Sequence, residues 1–249
     1  MLTLTVMPEL PRSARLVAWG NAALAGLVSL DEATERIVAA DPQHRVTGLP
    51  GEPAPVGVSL ALGRLRADGV QQLRLVLPVP GDSFGLPGPP AVNAVAVEAG
   101  EAAVTVGGPA LALVPAGRSI WQAYDVVPAA AASSSLPSLA EAERLLTEEL
   151  RECAAELVRL DVARWGPEAA ALLAAGDRTS APALPPAYPP RAHALLAQAL
   201  RIGAVAALAR GSEGGAVTAS EIGLRATVLD RLATASRRAV EAACNAPLH

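Results

Sequence analysis

Between Val46 and Val127, proline or glycine recurs every few residues and leaves room only for short apolar runs. Each such residue interrupts a helix, through a missing N–H and a ring clash or through backbone freedom. No long helix fits this stretch, so short strands and tight turns must carry it. Gln72–Val79 alternates, with Leu73, Leu75, Leu77 and Val79 on one side and Arg74 on the other. That pattern predicts a half-buried strand with Arg74 on the wet face. Ala91–Val97 and Ala102–Val106 flank Glu98-Ala99-Gly100-Glu101 and read as a hairpin. Gly107-Gly108-Pro109 turns into Ala110–Val114, and Ile120–Val127 adds a strand. Val58–Arg66 fits a strand or a helix that ends at Asp68-Gly69.

The flanking segments have the opposite character. Residues 12–28 place Leu16, Trp19, Ala23 and Leu27 on one helical face. Ser29 and Glu32 then form a capping box that starts a second helix to about Ala40. After residues 129–137, rich in alanine and serine and read as a linker, every segment is helical. Ser138/Glu141 and Thr218/Glu221 are two further capping boxes. The first opens a long helix to about Arg164, the second the last helix, to about Ala243. A short helix begins at Gly166-Pro167 and ends at Gly176, and a proline-rich loop spans Arg178–Pro190. A long apolar helix follows, from Pro190 to Arg210, with Gly211 after its end. The expected fold is therefore α+β: N-terminal helices with a small, mostly antiparallel sheet over 1–128, then a helical bundle over 138–249.

Composition narrows the chemistry. The chain has no lysine; all 20 basic side chains are arginine. A Walker A phosphate loop and a lysine Schiff base are both ruled out. Residues 1–137 carry 8 basic and 11 acidic side chains, and residues 138–249 carry 12 and 13. Neither half is a basic surface for nucleic acid, and aromatics at 2% give no stacking platform. The core must be filled by leucine, valine and alanine. Cys153 and Cys244 stand far apart, each in a predicted helix, and read as buried free thiols in a reducing cytoplasm. Arg12–Ser29 matches an amphipathic helix better than a signal peptide. No unbroken apolar run reaches the length of a membrane span, so no membrane partner is expected.

The strongest local anomaly is Leu77–Pro90, LPVPGDSFGLPGPP, which holds the only phenylalanine. A rigid, glycine-bearing loop at a strand end is a common place for binding, with Asp82, Ser83 and Phe84 presented and Arg74 beside them. The competing reading is a stiff connection whose Asp82 satisfies turn amides. Gly81-Asp82-Ser83 resembles the nucleophile motifs of chymotrypsin-like proteases and GDS-type lipases over three to five residues, but the remaining motifs of both are missing. A serine nucleophile needs a base, and His44, His193 and His249 are the only histidines. Arg64, Arg66 and Arg74 are read as lining the wet face of the sheet, with anion binding as the functional alternative. Asp41-x-x-His44 offers two metal ligands at most, and no zinc spacing occurs elsewhere. The row Glu148, Glu152, Glu156, interleaved with Arg144, Arg151 and Arg159, reads as an ion-paired face.

Leu77–Asp82 with Gly85–Pro89, Gly214–Ala219, and Trp19–Gly26 resemble segments of an uncharacterised protein family of GC-rich actinobacteria. That resemblance implies no activity and no cofactor. The expectation is a non-catalytic cytoplasmic structural or interaction module. The helix at Pro190–Arg210 is apolar nearly all round, which predicts burial on most sides, as the centre of the bundle or in a dimer interface; with Gly203 and Ala207 allowing close approach, it points to a homodimer. The alternatives are a small-ligand binder built on Asp82, Ser83, Phe84 and Arg74, and a hydrolase using Ser83 or Asp82.

Overall fold

The structure is a computed structural model that describes residues 10–39, 44–128, 137–159, 184–211 and 219–249. It is α+β, with helices and a six-stranded sheet in the N-terminal part and helices after it. The chain divides into two compact units. One holds Pro11–Leu136 together with Ala183–Pro189 and Cys244–His249; the other holds the helices of the C-terminal half.

The sheet unit opens with α1 (Arg12–Leu24) and α2 (Leu30–Val38). α1 stops short of the expected Val28 because Gly26 takes a φ of 73° and turns the chain, with the Leu27 N–H donating to the Ala22 carbonyl. Ser29 caps α2 as expected, its hydroxyl accepting from the Glu32 N–H at 3.1 Å. Then come β1 (Arg45–Thr47), β2 (Val56–Gly57), α3 (Val58–Ala67) and β3 (Gln72–Val76). The ambiguous Val58–Arg66 segment is thus the helix, which puts Arg64 and Arg66 on α3 instead of on a sheet face. α4 (Pro90–Ala99), β4 (Ala102–Val106), β5 (Leu111–Pro115) and β6 (Ile120–Asp125) follow.

α4 corrects the expected hairpin. Ala91–Val97 is helical, with Pro90 in the first turn and Gly100 at φ 72° closing the last. A run of alanine and valine almost without polar residues has no period to read, so only the proline and glycine at its ends distinguish helix from strand.

Strand order is β2-β1-β6-β5-β4-β3, with all pairs antiparallel except β1 with β6. β3 is therefore an outer strand, yet Leu73 through Val76 are all buried. Both faces of the sheet are covered. Val76, Ala102, Val104, Ala112 and Val114 form one core cluster with Ala96 of α4, and Leu86 and Val92 pack against it. On the other face α1 lies against β3 and β4, with Leu16, Val17 and Trp19 buried. Arg74, expected on a wet face, is only 4% exposed because the loop after β3 folds back over it.

The helical unit contains α5 (Leu139–Arg159), α6 (Pro190–Arg210) and α7 (Ala219–Cys244), the last residue of α7 belonging to the sheet unit. Ser138 and Glu141 make the reciprocal cap predicted for α5. Leu146, Cys153 and Leu157 form its buried stripe. α6 buries one face, with Ala192, Leu195, Leu196, Ala199, Ile202 and Ala206, and does not bury itself on most sides as its composition suggests. The expected helix at 166–176, most of the loop before Leu184, and Thr218 of the third capping box lie outside the described residues.

Candidate functional site

Three places gather polar side chains: the loop after β3, the start of α1, and the α5–α7 seam. The loop carries the residues that the sequence singles out. Val79 and Asp82 exchange both backbone hydrogen bonds, 3.0 and 2.9 Å, around Pro80-Gly81. Gly81 sits at φ 85°, so proline then glycine makes the tight turn of the type that needs a left-handed third residue. The Asp82 carboxylate accepts from the Phe84 N–H at 3.3 Å. Ser83 and Phe84 are exposed at the tip. Arg74 reaches the loop from beneath, and its Nη2 donates to the Gly85 carbonyl at 3.0 Å. The structure thus brings Arg74 and the 82–85 segment together through backbone, with Asp82 bonded as a turn acceptor. Gly85 packs closely, since a Cβ there would lie 3.3 Å from a Val76 methyl. These contacts brace the turn.

The start of α1 carries no local signal in the sequence. Pro11 precedes the helix and offers no side chain to cap it. The cap comes from Glu101, 88 residues away, whose carboxylate accepts from the Ser13 N–H at 2.6 Å. An anion at a helix N-terminus meets free N–H groups and the positive end of the dipole. Beside it the Arg12 guanidinium lies 4.9 Å over the Trp121 ring and donates to the Gly117 carbonyl. Trp121 is fully buried and its indole N–H donates to His44 Nδ1 at 3.4 Å. His44 is therefore a buried partner of Trp121; Asp41, the other ligand weighed with it, lies outside the described residues.

Burial raises the Glu101 carboxyl above its ordinary pKa, outweighing the Ser13 bonds and the charges of Arg12 and Arg15 that pull it down. A carboxyl whose folded pKa exceeds its unfolded one binds more protons when folded, so its stabilisation is present at low pH and fades as pH rises through that interval. We expect Glu101→Gln to remove this component. Urea unfolding between about pH 4 and 7 should show wild-type stability falling relative to the variant as pH rises from the ordinary carboxylate range. A constant difference would mean that Glu101 titrates alike in both states.

In the helical unit, one guanidinium meets three carboxylates. Arg231 of α7 lies 2.8 Å from Glu149, 2.9 Å from Glu152 and 3.1 Å from Glu156, all on α5. The acidic row splits accordingly: Glu148 pairs within α5 to Arg144 at 2.9 Å, while Glu152 and Glu156 turn to the neighbouring helix. Between them Cys153 donates towards Glu149 and the Val228 carbonyl. Burial, then the Glu149 bond and charge, push its thiol up to about 12, so it stays protonated and unreactive at neutral pH. Among the described residues no group of three or more His, Cys, Asp or Glu side chains is placed to hold a metal ion.

α6 has the length and hydropathy to cross a bilayer, although its apolar run is interrupted. The core helix of a soluble protein meets the same criterion. Two family models match the chain, both in sequence order. Residues 13–135 match the N-terminal domain of Rv1486c-like proteins, and residues 140–241 match the C-terminal domain. No curated protein and no solved structure matches.

Proposed function

We propose, for a chain that belongs to the Rv1486c-like proteins over both of their domains, a non-catalytic interaction module that self-associates through its C-terminal helices. The observation that carries this reading is the uncovered side of α6. Only 44% of its most apolar window is buried within the chain. On the remaining side Ala194, Ala197 and Ala207 are exposed and Leu200, Ala204 and Leu208 half-buried; its charges are Arg191 and Arg210 at the two ends and Arg201 between them, and it carries no acidic residue. A surface helix normally turns charges outward, and an apolar outer stripe gains free energy when a second copy covers it. Ala207 is exposed on this side, whereas Gly203 faces Ser236 of α7, 3.6 Å from where its Cβ would lie, and serves packing within the chain.

The polar groups of the sheet unit support a scaffold over an enzyme. Asp82 is engaged by a turn, Arg74 by a loop carbonyl, Glu101 by a helix end and His44 by an indole. Each is tied to structure where a catalytic group would face a substrate.

Sedimentation or light scattering at micromolar concentration should give twice the 25.2 kDa of one chain. Ala207→Glu places a charge on the outer stripe of α6 without entering the core, and should return the mass to one chain. A wild-type monomer across that range would overturn the proposal. Association only with vesicles would assign the α6 stripe to lipid.

A further inference from the structure

The outer edge of β3 is closed by side chains in place of a neighbouring strand. A strand at the rim of a sheet leaves alternate N–H and C=O groups without ladder partners. In β3 these belong to Leu73 and Leu75, whose N–H and C=O groups bond asparagine side chains, in alternation with Gln72, Arg74 and Val76. Asn21, inside α1, accepts from the Leu73 N–H at 2.6 Å and donates to the Leu73 carbonyl at 2.8 Å. Asn245, just after α7, does the same for Leu75, at 2.7 and 3.0 Å. A carboxamide has donor and acceptor side by side, as a peptide group does. Each asparagine therefore stands in for one residue of a missing strand.

The two stand-ins are held differently. Asn21 is 5% exposed within a helix packed on the sheet. Asn245 belongs to a short segment, Cys244–His249, that lies against Leu184–Pro189. The Tyr188 hydroxyl donates to the Cys244 carbonyl at 2.9 Å, and the His249 N–H donates to the Ala187 carbonyl at 3.1 Å. Tyr188 and Leu184 are buried, and Ala246 is 5% exposed. The segment is thus a strap of a few residues, anchored to the sheet at Leu75 and to its neighbour at Tyr188 and Ala187.

We propose that Cys244–His249 is a releasable strap over the β3 edge, which opens at Leu75 by a local motion that leaves Leu73 and the rest of the sheet paired. Of its six residues only Cys244 and Ala246 are buried, Asn245 and Leu248 are half-buried and Pro247 and His249 exposed, and a segment with so few buried side chains opens sub-globally, at lower free energy than the core. Opening bares the Leu75 N–H and C=O while Asn21 keeps Leu73 covered.

Amide hydrogen exchange under native conditions tests this. Leu75 should exchange faster than Leu73 and than Leu113 of the central strand β5. Asn245→Ala removes both net hydrogen bonds to Leu75 and should raise its rate about tenfold or more, without changing Leu73 or Leu113. Tyr188→Phe leaves Asn245 intact and removes one anchor of the strap; because the Tyr188 hydroxyl also meets the Asn21 side chain, it should raise Leu75 most, Leu73 less and Leu113 not at all. Equal rates at Leu75 and Leu113 in wild type would overturn the proposal. So would either variant raising all three amides together, which would make the strap part of the global fold, or Asn245→Ala leaving Leu75 unchanged.

Discussion

Trp121→Ala should cost about 4 kcal/mol, in the range for emptying a buried tryptophan site. Trp121 is fully buried in β6, the largest side chain of a core otherwise filled mostly by leucine, valine and alanine. Small neighbours matter here. With aromatics at 2% of the chain, no large ring stands ready to move into the vacated volume. Two polar groups also lose a contact: the Arg12 guanidinium its ring face, and His44 Nδ1 its indole donor. Against a total stability of roughly 5–15 kcal/mol, such a loss leaves the sheet unit marginal. Trp121→Phe keeps a ring for Arg12 and loses the N–H, so it should cost about half as much. Urea unfolding followed by far-ultraviolet circular dichroism measures both. A loss below about 1 kcal/mol for the alanine variant would show that Trp121 is replaceable packing.

Why the sequence discloses some of this and not the rest follows from the range of each interaction. Ser29/Glu32 and Ser138/Glu141 announce helix starts because a capping box closes within four residues. The spacing Leu146, Cys153, Leu157 announces a buried stripe because helical period is local. Alternation alone puts Arg74 in solvent. The loop that covers it, with Gly85 over Val76, has no period at all. α4 has too few polar residues to mark its outer side, so Pro90 and Gly100 are the only usable signals. Glu101 and Asn245 are beyond any local reading. Each is an ordinary polar residue whose partner lies 88 or 170 positions away. The loop after β3 stands out because glycine and proline gather visibly there. The bonds from the Phe84 N–H to Asp82 and from Arg74 to the Gly85 carbonyl leave no such mark in the sequence.

Gly108→Ala should be nearly as damaging as the tryptophan deletion, although it adds one methyl group. Gly107 and Gly108 take φ of 77° and 59° in the turn from β4 to β5. The left-handed conformation alone costs an alanine about 1–2 kcal/mol. A Cβ on Gly108 would also fall 2.7 Å from the Asp68 carbonyl oxygen and 2.8 Å from the Val70 nitrogen. Those are backbone atoms at the entrance to β3, and no side chain can swing aside to relieve them. The turn is tied on its other side as well. The Thr105 hydroxyl donates to the Pro109 carbonyl at 2.6 Å and accepts from the Leu111 N–H at 2.8 Å. Moving the turn would break these bonds, so the overlap adds about 1–3 kcal/mol of its own. Gly100→Ala is the matched control: its φ is 72°, and a Cβ there would meet nothing within 4 Å. It should lose only the conformational part. The gap between the two variants in unfolding free energy therefore measures how tightly the Gly107-Gly108 turn packs on Asp68–Val70. Equal losses would mean that the turn shifts freely and that the contact is slack.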